Sequence, residues 1–330
     1  MSMPMHDCLM QMVEDEHVLE DYQSGMPRWC SGCGDNAVLA AVQRLCRDEN
    51  LRPEKLAFVS GIGCASRFPH YMRTYGFHGI HGRALPIAEG VKMARPDLHV
   101  FVNMGDGDCC SIGAAHWLHA IRYNMNMTVV LHDNHVYGLT KMQASPTSPK
   151  GLRSNTTPHG SYLDALNPLT VTLGVTNVSF VAQAVDWIPE VVHAVIQAAF
   201  HHKGFSFVRI IQRCPEFLPK MWEPWLHDPQ KTLLLEHEDG VGYSAGLQKI
   251  YKNRQAHDPA DIHKAREIAS SIDPIPVGIL YRDDSVPCYE EIREAGKPRP
   301  VEMVRTGLEA ELDKFTVWPD AEEPDPRATA

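Results

Sequence analysis

The chain has 330 residues and a mass of 37.0 kDa, enough for one large domain or a domain with a substantial extension. Its 44% hydrophobic and 22% charged content is that of an ordinary globular protein and excludes collagen-like, coiled-coil and wholly disordered chains. A formal net charge of −10 excludes a general nucleic-acid binder, because phosphates repel a chain of that sign, and the excess is C-terminal: residues 215–330 hold 23 Asp/Glu against 14 Lys/Arg, residues 1–214 hold 18 against 17.

The first residues are rich in Met and then acidic (Glu14, Asp15, Glu16), without the basic-then-apolar pattern of a signal segment. Residues 1–26 are read as an N-terminal extension, of which residues 1–24 wrap something or are mobile. Between residues 35 and 214 helical and strand-like patterns alternate, which predicts an α/β domain with a central, mostly parallel sheet flanked by helices. Asp35 to Asn50 puts Val38, Val42, Leu45 and Cys46 on one helical face, with Asp35 placed to cap it. Leu56 to Ser60 follows as a buried strand, then a helix from Arg83 to Arg95 that Pro96 ends. Leu98 to Met104 is a strand running into Gly105-Asp106-Gly107-Asp108, and a helix follows from Ile112 to Tyr123. After the strand Met127 to His132, the polar segment Asp133 to Asn155 has loop composition, and loops of that length are commonly functional. A helix from Ile188 to His202 and a strand from Phe205 to Ile211 close the domain at Cys214-Pro215. Beyond Glu216 the pattern weakens to an irregular, acidic extension, with one helix at Ala260 to Ser271 and a tail from Trp318 of disordered composition. The division is therefore 1–26, 27–214 and 215–330.

Strand, then Gly105-Asp106-Gly107, then helix is a geometry with a mechanism. At the carboxyl end of a parallel strand the helix amides point outward, glycines allow close approach, and a carboxylate can hold a divalent cation on a diphosphate. Mg²⁺ takes oxygen ligands, so a second donor is sought at the next strand end. Asn134 stands there, 28 residues on, one helix plus one strand away, and the carbonyl of Val136 is a third candidate. This combination resembles the motif by which thiamine diphosphate enzymes hold Mg²⁺ and the cofactor's diphosphate. Asp108 is read either as orienting that loop or as a helix cap, and Cys109 and Cys110 as small buried residues.

Nine cysteines are an odd number, which with the missing signal pattern predicts a reduced, cytoplasmic protein rather than a disulfide framework. No apolar run approaches the roughly 20 residues of a membrane span. Cys30-Ser31-Gly32-Cys33 presents two sulfurs to one centre, a spacing shared by zinc sites, redox dithiols and iron–sulfur clusters. Cys64, in the glycine loop Gly61-Ile62-Gly63-Cys64, and Cys214 are further candidates because both follow strands. Cys46, Cys8 and Cys288 fit less well: one lies on an apolar helix face, the others in the two extensions.

Taken together, Trp29 to Gly34, Gly61 to Cys64, His81-Gly82-Arg83, Gly105 to Asp108 and Asp133 to Thr140 resemble, over about residues 27–220, the β subunit of 2-oxoacid:ferredoxin oxidoreductases, most of all the 2-oxoglutarate branch. The resemblance implies a thiamine diphosphate-binding fold. It implies a [4Fe–4S] cluster on Cys30, Cys33, Cys64 and Cys214, and Mg²⁺ on Asp106, Asn134 and Val136. Gly63, His81, Arg83, Gly105, Gly107, Asp108 and Tyr137 are then cofactor-binding, and Arg67, Lys141 and Leu139 face the substrate, whose carboxylate needs cationic partners. The implied reaction is CoA-dependent oxidative decarboxylation of a 2-oxo acid, reversible as reductive carboxylation, with electrons leaving singly to ferredoxin. The glutamate that activates thiamine is normally on a second domain that this chain lacks. An α or fused γα subunit is therefore the expected partner, in an αβ dimer or (αβ)₂. Pyruvate or a branched-chain acid is the alternative substrate. The alternative functions are a non-redox decarboxylase half-enzyme and a non-enzymatic zinc or redox scaffold.

Overall fold

In the computed structural model, residues 16–294 and 301–315 are described. Their strands are β1 (Leu56–Ser60), β2 (Tyr75–His78), β3 (His99–Gly105), β4 (Met127–Asp133), β5 (Phe180–Val185), β6 (Phe205–Ile211), β7 (Thr232–Glu236), β8 (Arg254–Ala256) and β9 (Ile275–Arg282). They form one sheet in the order β2-β1-β3-β4-β6-β5-β9-β7-β8, with every neighbouring pair parallel except β5 and β9. The helices are α1 (Asp35–Asp48), α2 (Ala84–Ala94), α3 (Ala114–Tyr123), α4 (Pro168–Leu173), α5 (Pro189–His201), α6 (Glu223–Leu226), α7 (Ala245–Ile250), α8 (Ile262–Ala269), α9 (Tyr289–Glu294) and α10 (Val301–Asp313).

The central strands read as unbroken apolar runs because both faces of the sheet are covered. Alternate side chains sort into two cores. Phe58, Phe101, Val130 and Val208 join α1 and α5 on one face; Val59, Val102, Val129 and Phe207 join α2, α3 and α8 on the other. Packing on both faces fixes the strand ends, and so the loops that leave them.

The α/β reading and the mostly parallel sheet hold. The irregular extension after Glu216 does not: β7, β8 and β9 lie there and continue the sheet past Cys214. Contacts gather the chain up to Glu290 into one unit, so no division falls at 214. These strands were illegible because β8 has three residues and β9 opens on Ile275-Pro276, which interrupt the alternation that marks a strand. The edge strand β2, exposed along its length, and β5 were likewise missed. The unit from Glu291 on carries, taken by itself, the helix α10.

Asp35 does not cap α1. Gly34 occupies the cap position with no side-chain bond, and Asp35 is the first helical residue, wholly buried. The described part of the N-terminal extension packs: Tyr22 is fully buried and its hydroxyl donates to Leu51 O at 2.7 Å. Residues 1–15 and the tail from 316, including the stretch read as disordered, lie outside the described residues. Among those described, no helix is long and apolar enough to cross a membrane.

Candidate active site

The carboxyl ends of β1, β3 and β4 open onto one cleft of about 180 Å³. Eleven of the predicted residues line it: Gly63, Cys64, His81, Gly105, Asp106, Gly107, Asp108, Asn134, Val136, Tyr137 and Leu139. Arg67, Arg83 and Lys141 do not. Arg83 instead pins a loop, its guanidinium donating to the carbonyls of Gly82 and Ile112, both at 3.3 Å. Lys141 is exposed at the tip of its loop with φ +76°, next to Met142 at +72°. Two consecutive side-chain-bearing residues in the left-handed region store strain, a feature common at functional loops. Arg67 sits on a tight turn after Cys64, its backbone amide donating to Cys64 O at 3.2 Å, with its Nε buried and unpartnered.

Glycine serves the cleft in two ways. A Cβ on Gly107 would stand 2.0 Å from the Tyr137 ring, and one on Gly61 would stand 2.1 Å from Asp108 Oδ2, so both positions exclude a side chain. At Gly63 and Gly105 nothing lies within 4 Å of that point, so their missing side chains leave open cleft.

Asp108 organises the loops. Its Oδ1 accepts from the amides of Gly82 at 2.6 Å and Ile62 at 3.3 Å, and from His81 Nδ1 at 2.8 Å, gathering the loops after β1 and β2 onto the end of β3. The loop-orienting reading is therefore the observed one. Asn134 Oδ1 accepts from the Val136 amide at 3.1 Å, a turn that holds His135 at φ +62°.

Asp106 is buried, and its Oδ2 accepts from the hydroxyls of Ser145 and, at 2.6 Å, Thr147. Burial, reinforced by the charge of Asp133, pushes its carboxyl up to about 7. Burial would also raise Asp133, but His135 and the Arg209 guanidinium outweigh it and hold Asp133 below the usual carboxylate range. Arg209 donates to Asp133 through Nε at 2.7 Å. Ser145, Thr147 and Arg209 were missed from sequence; the Ser- and Thr-rich composition of residues 133–155 was the available signal for the first two.

The four predicted cluster cysteines come from three segments joined by hydrogen bonds. Trp29 Nε1 donates to Cys64 O at 2.7 Å, the Gly34 amide to Arg213 O at 3.3 Å, and the Cys33 amide closes its own turn on Cys30 O at 3.1 Å. All four are free thiols: Cys214 is buried, Cys33 and Cys64 half-buried, Cys30 exposed. Burial pushes the Cys64 thiol up to about 12, with the Asp35 carboxylate and the Cys214 and Cys30 sulfurs adding to it. Burial also raises Cys33, far above the usual thiol range, Asp35 again adding. Among the described residues no group of three or more His, Cys, Asp or Glu side chains is placed to hold a metal ion. Cys109, Cys110, Cys46 and Cys288 are buried, as the sequence reading has it for the first three.

The fold and the glycine-and-carboxylate cleft define a thiamine diphosphate enzyme domain, and the family described as "Thiamine pyrophosphate enzyme, C-terminal TPP binding domain" matches residues 61–210. A second family, the C-terminal part of the pyruvate ferredoxin oxidoreductase beta subunit, matches residues 247–297, within the region that carries β8 and β9. The chain is 48% identical over 262 residues to the 2-oxoglutarate oxidoreductase subunit KorB of Mycobacterium tuberculosis, covering 79% of this chain and 69% of the relative. It is 35% identical over 284 residues to the 2-oxoacid:ferredoxin oxidoreductase subunit beta of a Sulfolobus species, covering 82% and 86%. A solved 2-oxoglutarate:ferredoxin oxidoreductase from Magnetococcus marinus, with 2-oxoglutarate, coenzyme A and succinyl-CoA bound, superposes with a TM-score of 0.73 at 35% identity, over 89% of this chain and 96% of that one. The chain belongs to the family of 2-oxoacid:ferredoxin oxidoreductase β subunits, components of a multisubunit oxidoreductase.

Proposed function

We propose that this protein holds the diphosphate-binding half of a thiamine diphosphate site and a [4Fe–4S] cluster in a cytoplasmic 2-oxoglutarate:ferredoxin oxidoreductase. The observation that carries the reading is the shared sheet edge. Asp106 and Asn134 line one cleft with Cys64, and Cys64 is hydrogen-bonded through its carbonyl to the segment bearing Cys30.

The residues fit the groups. Asp106 is a buried carboxylate raised to about 7, so a divalent cation against it would supply the charge compensation that Ser145 and Thr147 alone do not. Asn134 Oδ1, already accepting from Val136, keeps a second lone pair, and the carbonyl of Val136 is the third donor. Open space at Gly63 and Gly105 suits a diphosphate, and four free cysteines from three hydrogen-bonded segments offer the all-sulfur donor set that an iron–sulfur cluster takes. Thiamine diphosphate, when bound, supplies the electron sink for the carbanion that loss of CO₂ leaves behind. The chain's own residues hold and orient: Asp108 with His81 keeps three loops together, Tyr137 packs on Gly107 as the cleft wall, and Leu139 lines the cleft beside it. Arg67 and Lys141, outside the cleft in this chain, supply positive charge for a substrate carboxylate at the partner interface.

The decarboxylated acyl group passes to CoA, and the released electrons pass singly to ferredoxin. The α or fused γα subunit brings the activating glutamate and the rest of the pocket. The KorB relatives and the 2-oxoglutarate-bound structure favour 2-oxoglutarate over pyruvate. Turnover of the two acids by the reconstituted complex tests the substrate: preference for pyruvate would reject it. Anaerobic iron and sulfide analysis tests the cluster, with about four of each per chain expected and zinc or no metal rejecting it. Decarboxylation by this polypeptide purified without a partner would reject the need for a second subunit.

A further inference from the structure

Asp35 stands two residues after Cys33 and is wholly buried, although a carboxylate in the first turn of a helix ordinarily faces water. Its Oδ1 accepts from His132 Nδ1 at 2.8 Å and from Gln212 Nε2 at 3.2 Å, and its Oδ2 lies 3.4 Å from Cys33 Sγ. His132 is also fully buried, is held from its other nitrogen by Asn103 at 3.0 Å, and lines the cleft. Strands β3 and β4 and the residue after β6 thus each send a side chain into this network. Helix capping explains none of it: the cap is Gly34, and Asp35 makes no capping bond. Burying a carboxylate is costly unless it is paired, and this one is paired on one oxygen while the other is aimed at sulfur.

We propose that Asp35, fixed by His132 and Gln212, acts through Cys33 to lower the reduction potential of the cluster. The inference rests on the cluster proposed above. Each electron that the cluster takes from the decarboxylated substrate adds one negative charge to the assembly of iron, sulfide and thiolates, and the same electron leaves to ferredoxin, so no further reactant is needed. A fixed carboxylate against one ligand sulfur, in a buried site of low dielectric, repels that added charge. Reduction becomes harder, and the reduced cluster a stronger donor to ferredoxin. Asp35 is in this sense a positioning residue, touching neither substrate nor cofactor.

The test is a redox titration of the complete enzyme, read by electron paramagnetic resonance, with iron and sulfide measured on the same samples. Asp35→Asn keeps the shape and removes the charge. The midpoint is expected to rise by at least a tenfold change in the oxidised-to-reduced ratio, 59 mV for one electron, with Asp35→Glu returning it toward wild type. An unchanged midpoint in the clusters that assemble overturns the proposal, whatever their yield, because a merely structural Asp35 would change the yield alone. Should Asp35→Asn assemble no cluster, Gln212→Met removes one donor from the carboxylate and leaves its charge less compensated. The midpoint must then fall, and an unchanged value overturns the proposal. Wild-type enzyme without iron and sulfide would refute the cluster itself, an outcome the metal analysis separates from a failed titration.

Discussion

At the carboxyl ends of β3 and β4 the chain turns through Gly105-Asp106-Gly107 and Asn134, whereas at the ends of β7 and β8 it turns through Glu236-His237-Glu238-Asp239 and His257-Asp258-Pro259. Both places are parallel strand ends, where ligands of α/β sheets usually bind. The second cavity is the larger, about 910 Å³ against about 180 Å³. Yet three of its five lining acids are already engaged: Glu236 with Arg254 at 3.1 Å, Asp284 with Arg282 at 2.9 Å and with His202 at 3.0 Å, and Asp258 with the Ala260 amide at 2.9 Å. In the first cavity glycines keep the backbone open and one buried carboxylate is left short of positive charge. Topology offers both places to a ligand, and local chemistry selects one.

The largest expected effect comes from removing that carboxylate. Asp106→Ala is expected to lower turnover of the reconstituted enzyme by more than roughly 100-fold, since even residues that merely support a metal ligand cost 10–100-fold; retention of a tenth of wild-type turnover would break the contrast. Arg209→Met leaves Asp133 buried without its guanidinium partner and is expected to cost about 3–5 kcal/mol in denaturant unfolding. Gly107→Ala drives a methyl into the Tyr137 ring and is expected to destabilise by about 1–3 kcal/mol while weakening thiamine diphosphate binding, measured by tryptophan fluorescence.

Glu89, on α2, lines neither cavity. Burial on α2 pushes it from 4.5 up to about 7, so the folded chain keeps a proton that the unfolded chain has released. The stabilisation from that proton is complete below pH 4.5 and disappears as pH rises through about 7. Glu89→Gln is therefore expected to be the more stable protein above that range, by about 1–2 kcal/mol after allowance for partial solvent screening, with the gap closing in acid. Thermal melts across pH check the sign. The smallest effect is expected in the other cavity, where His237→Asn should leave turnover within about twofold of wild type; a tenfold loss would mean that the second cavity serves the reaction.

How much was legible divides along the same line. The central strands were readable because doubly covered strands are continuous apolar runs, and the cleft was readable because Gly105-Asp106-Gly107 follows a strand and Asn134 stands one helix and one strand further on. Eleven cleft residues followed from short motifs whose members are local in sequence. Arg83 and Lys141 were placed outside the cleft because motif position does not fix where a long side chain goes.

The sequence by itself determined the class of fold, the glycine-and-carboxylate turn after β3 and the Cys30–Cys33 spacing, since each depends on residues within a few positions of one another. Only the tertiary structure decided what depends on distant segments meeting. It brought Ser145 and Thr147 onto Asp106, Arg209 onto Asp133, and His132 and Gln212 onto Asp35, and it joined β7 to β9 to the sheet. Partners separated by as many as 177 residues leave no local pattern, because burial and pairing arise only when the sheet assembles. The role of the acidic C-terminal region is likewise a tertiary matter: its strands complete the sheet, and many of its charges pair among themselves.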